Sequence, residues 1–293
     1  MRSVPPSRRA RTAAALTAVT AALATAAGLG AGPAAAAGTA PDRYVALGDS
    51  FASGAGVPDQ ADADCMRSSR NYPALVNAAL APAAHKDVTC GGATTVHMTS
   101  AQNASAPPQL DALSADTDLV TLTIGGNDVG FADIIVRCVT LGAFNLAGSP
   151  CKSSYTWTGT DRLAATVDAT APKIAAAIDG IRQRAPQARI LVTGYPAILP
   201  DNGTNCPWVA TIAKGDAPWL RDTHKRLNTV IATQAAARGA VYVDTYTKSI
   251  GHDVCKPAGT RWMEPLITNA AAPFHPNAAG ERAMADAVLA AAG

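Results

Sequence analysis

The chain has 293 residues, 48% of them hydrophobic and 16% charged, which excludes a disordered or highly charged protein and leaves ample material for a buried core. Lysine plus arginine number 24 against 22 acids, a net charge of +2 that excludes a protein built chiefly to grip nucleic acid.

The first eleven residues carry Arg2, Arg8, Arg9 and Arg11 and no acid, and the stretch from Thr12 to Pro41 has no charge at all. Its Ala-rich apolar centre ends in the small-residue run Ala34 to Ala37. This is the order of a secretory signal peptide, expected to occupy residues 1–37, and the segment is too poor in strongly apolar residues for a membrane anchor. Removing its four arginines takes the 24 cations to 20 against 22 acids, a net charge of −2 for a single domain over 38–293. All six cysteines (Cys65, Cys90, Cys138, Cys151, Cys206 and Cys255) follow the signal. An even count in an exported chain reads as disulfides, and the absence of close C-x-x-C pairs argues against zinc. Spacing alone leaves the pairing open.

Beyond the signal, short apolar runs alternate with helical patterns. Arg43 to Leu47 reads as a strand ending at Gly48, Asn71 to Ala81 as a helix, and Asp87 to Cys90 as a short strand before Gly91-Gly92. Leu119 to Ile124 is a buried strand, Asp161 to Arg184 a helix interrupted at Pro172, and Arg189 to Thr193 the fourth strand. Ala217 to Arg238 contains a helix, Ala240 to Asp244 is the fifth strand, and Pro276 to Ala292 closes the chain as a helix. Two stretches, Phe131 to Thr160 and Pro196 to Asp216, read as loop-rich regions held by disulfides. The alternation predicts an α/β fold, a three-layer α/β/α sandwich on a five-stranded parallel sheet.

In such a sheet, ligands bind at the carboxyl ends of the strands. There the sequence delivers Gly48-Asp49-Ser50-Phe51, Gly91-Gly92-Ala93-Thr94, Gly125-Gly126-Asn127-Asp128 and, near the end of the chain, Phe274-His275-Pro276. A serine hydroxyl becomes a nucleophile when a histidine takes its proton, and the oxyanion so formed needs donors aimed at it. Ser50 supplies the hydroxyl and a free N–H at a helix start, Gly92 an unobstructed N–H, Asn127 a side-chain amide and His275 a base. Taken singly these residues are ordinary caps and turns; together they make up acyl-transfer chemistry with no cofactor and no metal. Asp49 and Asp128 are expected to brace turns. His85, His97, His224 and His252 are expected to be surface or structural residues.

At these positions the chain resembles the SGNH (GDSL) hydrolase family of esterases and lipases. The family's blocks stand in order as Gly48-Asp49-Ser50-Phe51, Gly92-Ala93-Thr94, Gly126-Asn127-Asp128 and His275-Pro276, with Phe51 where leucine is common. The secretion signal and six cysteines resemble its secreted bacterial three-disulfide branch. That resemblance implies the flavodoxin-like SGNH fold, Ser50 as nucleophile and His275 as base, and an oxyanion hole of Ser50 N–H, Gly92 N–H and the Asn127 side chain. It also implies the bridges Cys65–Cys90, Cys138–Cys151 and Cys206–Cys255, a lipid or other ester substrate, and a secreted monomer that binds no nucleic acid and has no stable membrane insertion.

The family usually has an aspartate three residues before its histidine; here that position is Ala272. A Ser50–His275 dyad is therefore expected, oriented by the backbone carbonyl of Ala272 or a near neighbour, against Asp253 and Glu264 as rival carboxylates. A carbonyl stabilises the imidazolium less than a carboxylate, so the pKa of His275 should not be strongly raised, and activity should rise through about pH 6–7 and persist into mildly alkaline solution. No G-x-S-x-G, H-E-x-x-H, P-loop or G-x-G-x-x-G pattern supports another plan. The alternatives to an esterase are a non-catalytic carbohydrate- or lipid-binding module on the same fold, or a peptidase using the same serine.

Overall fold

The computed structural model describes residues 41–207 and 211–293. The expected signal and the domain boundary after it lie outside the described residues. Five parallel strands make the sheet: β1 (Arg43–Gly48), β2 (Ala84–Asp87), β3 (Leu119–Thr123), β4 (Arg189–Thr193) and β5 (Val241–Val243). Their order is β2-β1-β3-β4-β5, so the chain reverses its direction of winding between β1 and β3. A crevice opens at that reversal, outside the carboxyl ends of those two strands.

Side chains alternate across the sheet as the strand period requires. Tyr44, Ala46, Leu119, Leu191 and Val243 pack on one face with α2 (Tyr72–Leu80) and the C-terminal helix (Ala278–Ala292). Val45, Leu47, Val120, Leu122, Ile190 and Val192 turn to the other face, where the main core lies. Threonines interrupt the first face, and tyrosines satisfy them. Tyr44 Oη and Thr121 Oγ1 are 2.8 Å apart, and Tyr72 Oη and Thr123 Oγ1 2.9 Å. Buried hydroxyls so paired avoid the cost of an unmet hydrogen bond.

The sandwich and its five strands are as the sequence predicts, with shifts at the edges. Strand β2 lies three residues earlier than expected. It is an edge strand, half-buried and polar (Ala-His-Lys-Asp), so it carries no apolar run to mark it. Its hydrogen bonding to β1 continues beyond Asp87, with Val88 N–H on Ala46 O and Cys90 N–H on Gly48 O, both at 3.0 Å. The pattern from Asp161 to Arg184 is two helices, α6 (Arg162–Ala169) and α7 (Ala171–Arg184), because Pro172 fits the first turn of a new helix.

The region from Phe131 to Thr160 is not loop-rich. It holds α4 (Phe131–Phe144) and α5 (Pro150–Thr156), joined by Cys138–Cys151. The other two bridges are Cys65–Cys90 and Cys206–Cys255, the pairing that the resemblance implied. A long helix, α8 (Asp216–Ala237), then packs with α6 and α7. Among the described residues, no helix is long and apolar enough to cross a membrane.

Candidate active site

The nucleophile turn is built on Gly48, where β1 ends. Its φ is +150°, and a Cβ there would lie 2.7 Å from Thr123 O and 2.8 Å from Ala52 Cβ, so only glycine fits. Gln109 clamps the same residue from both sides, accepting from Gly48 N–H at 2.8 Å and donating to Gly48 O at 2.9 Å. Asp49 caps the short helix Ser50–Ser53 by accepting the Phe51 N–H at 3.0 Å. Ser50 is the first residue of that helix, so its own N–H has no intrahelical acceptor.

Tyr195 ties this turn to the one after β3. Its hydroxyl donates to Asp49 Oδ2 at 2.5 Å and accepts the Gly126 N–H at 2.8 Å. Burial pushes the Asp49 carboxyl up to about 7, partly offset by the Tyr195 and Phe51 hydrogen bonds. Asp128 binds the next turn along, accepting the Thr95 N–H at 2.9 Å and the Thr95 hydroxyl at 2.6 Å. Asp49 and Asp128 therefore brace turns, as expected.

Ser50 and His275 meet: Nε2 lies 2.7 Å from Oγ, both residues nearly out of solvent at 6% and 9% exposure. The other ring nitrogen, Nδ1, is 2.8 Å from the carbonyl of Pro273. A carbonyl can only accept, so Nδ1 carries the proton and Nε2 is left to accept from the serine. The orienting carbonyl is thus one residue later than Ala272, whose own oxygen accepts the His275 backbone N–H at 3.2 Å. The cause is a turn: Pro273 is its second residue, and Phe274, its third, has φ +61°. That is near a type II turn, which points its central carbonyl the other way from type I.

Neither rival carboxylate reaches Nδ1. Glu264 is engaged by Arg261 at 3.1 and 3.0 Å, Asn277 at 2.8 Å, and Thr268. Asp253 accepts from Cys255 N–H at 3.0 Å. The imidazole sits against Phe51, ring centroids 4.7 Å apart, and edge-on to Phe131 at 5.6 Å. Burial lowers its pKa to about 4, only partly offset by the Pro273 hydrogen bond. The expected rise of activity through pH 6–7 therefore moves to lower pH.

The remaining oxyanion candidates lie on neighbouring turns. Asn127 Nδ2 donates to Ala93 O at 2.9 Å, fixing the amide and leaving its second hydrogen free. Gly92 has φ +76°, and its N–H meets no acceptor among the described residues. The other histidines do different work. His85 stacks on Tyr44, His97 closes a capping box with Thr94, His224 lies 3.1 Å from the Tyr195 carbonyl, and His252 stacks on Trp262. His224 is half-buried, and its desolvation lowers its pKa to about 4. Among the described residues, no group of three His, Cys, Asp or Glu could hold a metal ion.

A cavity runs from Ser50 and Asn127 between α4, α6 and α8. Ile134, Ile135, Leu163, Val167, Leu220 and Leu227 line it, and its surface is almost wholly apolar. Gln109, Tyr195 and this lining went unread in the sequence. Tyr195 alone left a signal, standing two residues after β4 on the rim of the sheet.

The chain matches the family model described as GDSL-like Lipase/Acylhydrolase over residues 46–283. It is 45% identical over 249 residues to Lipase 2 of Streptomyces coelicolor, an alignment covering 83% of each chain. The crystal structure of phospholipase A1 from Streptomyces albidoflavus superposes with a TM-score of 0.73 at 33% identity, covering 87% of this chain and all of that one. The extracellular lipase of Streptomyces rimosus gives 0.70 at 30% identity, over 86% of this chain and 99% of the other. The chain belongs to the GDSL-like lipase/acylhydrolase family, and is a carboxylic ester hydrolase of the lipase/esterase type.

Proposed function

We propose that the mature protein, residues 38–293, is a secreted monomeric serine esterase that cleaves lipid esters through an acyl-enzyme on Ser50. Ser50 Oγ attacks the ester carbonyl while His275 Nε2 takes its proton. The resulting imidazolium is held by the Pro273 carbonyl. The tetrahedral oxyanion accepts from Ser50 N–H, Gly92 N–H and the Asn127 amide, which are fixed in place before the charge develops. Collapse expels the alcohol, which leaves with the proton from His275. A water, deprotonated by the same imidazole, then releases the acid.

The observation that carries this reading is the 2.7 Å contact of His275 Nε2 with Ser50 Oγ at the mouth of an apolar cavity. The cavity favours an acyl chain over an acetyl group. A binding module has no need of a buried, oriented base, and a peptide substrate would find few polar partners in such a cavity. The solved relative called a phospholipase A1 supports phospholipids among the substrates.

A chain-length series of nitrophenyl esters, with a phospholipid beside it, tests the reading. Burying one methylene contributes about 0.8 kcal/mol, so kcat/KM should rise roughly fourfold per methylene until the cavity is full. A best rate on acetate would sink the acyl-chain assignment. Failure of an organophosphonate to label Ser50 would sink the acyl-enzyme.

A further inference from the structure

We propose that Gln102 is a positioning residue for the oxyanion hole: its carboxamide holds the Gly91–Gly92 peptide in the orientation that aims the Gly92 N–H at the reacting carbonyl. This rests on the reading of Gly92 as an oxyanion donor. Residues Cys90 to Ala93 form a turn closed by Ala93 N–H on Cys90 O at 3.1 Å. Gly91 lies outside the left-handed region and Gly92 has φ +76°, close to the +80° of a type II turn's third residue. A type I turn joins the same ends with the central peptide rotated by about 180°, exchanging the directions of its carbonyl and its N–H. Two adjacent glycines raise no steric objection to either form. The turn's own sequence therefore does not choose between a donor aimed at the site and one aimed away.

Gln102 makes the choice. Its Nε2 donates to Gly91 O at 2.6 Å. The Gly91 carbonyl and the Gly92 N–H belong to one trans peptide and point in opposite directions. Capturing the oxygen on one side therefore sends the N–H to the other.

The remaining anchors of the turn hold its ends. Gly91 N–H donates to Cys65 O at 2.8 Å, and Cys90 is bridged to Cys65. None of these touches the Gly91 carbonyl. Gln102 also lies close to this glycine: a Cβ on Gly92 would come within 3.7 Å of Gln102 Nε2. Gln102 is itself anchored, its N–H donating to Ala106 O at 2.9 Å. Its Oε1 is buried without a partner among the described residues, so the carboxamide is held there by the bond to Gly91 rather than by a network of its own.

The test compares wild type with Gln102→Met, which keeps length and loses the donor, and Gln102→Glu, which keeps shape and loses the N–H at neutral pH. Rates are normalised to phosphonate-titrated sites, so that unfolded enzyme does not count. Removing one oxyanion donor outright costs about 10²–10³-fold in kcat; a turn that keeps its donor aimed at the site only about 1–10% of the time should cost about 10–100-fold. KM should stay within about threefold, and a boronate that forms a tetrahedral adduct on Ser50 should weaken by the same factor as kcat. Unchanged kcat and boronate affinity in either folded variant would overturn the proposal, as would a rise in KM alone. Ser50→Ala run in parallel separates the two levels. If it stays active, the acyl-enzyme reading has failed. If it is dead while Gln102→Met is normal, only the role of Gln102 has failed.

Discussion

Ser50 and His275 are 225 residues apart in sequence and 2.7 Å apart in the fold, and each is of little use without the other. Ser50→Ala or His275→Ala should leave a folded protein with activity reduced by at least about 10³-fold on a short-chain ester. Asn127→Ala should lower kcat by about 10²–10³-fold with little change in KM, because its amide meets charge that exists only in the transition state. The pH profile follows from His275. The base works when neutral, and burial lowers its pKa to about 4. The acid limb of kcat/KM should therefore fall near pH 4, and a limb near 6.5 would show that the imidazole is hydrated in solution. These residues were legible because their chemistry is written in short blocks. The Pro273 carbonyl was nearly legible and missed by one residue, since backbone direction depends on the Phe274 turn. Gln109 was not legible at all, because a glutamine bracing a distant turn leaves no local pattern, and Tyr195 left only its place two residues after β4.

At the scale of elements, helix α4 shows why part of the chain was misread. Its buried face follows a helical period (Phe131, Ile134, Ile135, Cys138, Val139), but the apolar Val136 and Phe144 on the exposed side blur that period in the sequence. Strands β1, β3 and β4 were legible because continuous apolar runs leading into glycine mark a parallel sheet buried on both faces. Helix α4 supplies Ile134 and Ile135 to the cavity, and Cys138–Cys151 staples it to α5. For a loop of this length, closure contributes about 3 kcal/mol. Replacing both cysteines by serine should cost stability of that order. It should also raise hydrogen exchange over α4 and α5 while the sheet stays protected. Because the cavity wall loosens with them, rates on long acyl esters should fall more than rates on short ones. Equal losses on both would show that the bridge serves stability alone.

For the whole molecule, burial sets up opposing responses to pH. His224 and His275 have folded-state values near 4 against an ordinary 6.5, so the stability they contribute is complete above about 6.5 and lost as pH falls towards 4. Asp49, raised to about 7, acts in the opposite sense, its contribution complete below its ordinary 3.8 and lost as pH rises towards 7. Glu281 joins Asp49. It is fully buried on the C-terminal helix, its Oε2 accepts the Tyr72 N–H at 2.7 Å, and its Oε1 has no partner among the described residues. Burial, with Asp87 adding repulsion, raises its pKa well above 4.5. The folded protein thus keeps this carboxyl protonated where the unfolded chain releases the proton, and each pH unit above about 4.5 favours unfolding by up to about 1.4 kcal/mol. Glu281→Gln is the neutral mimic: it still accepts from Tyr72 and has no proton to release. The variant should match wild type near pH 4 and become progressively more stable than it between pH 5 and 7, as read from urea unfolding at each pH. A difference that stays constant with pH, or that favours wild type at pH 7, would mean that Glu281 is ionised in the fold.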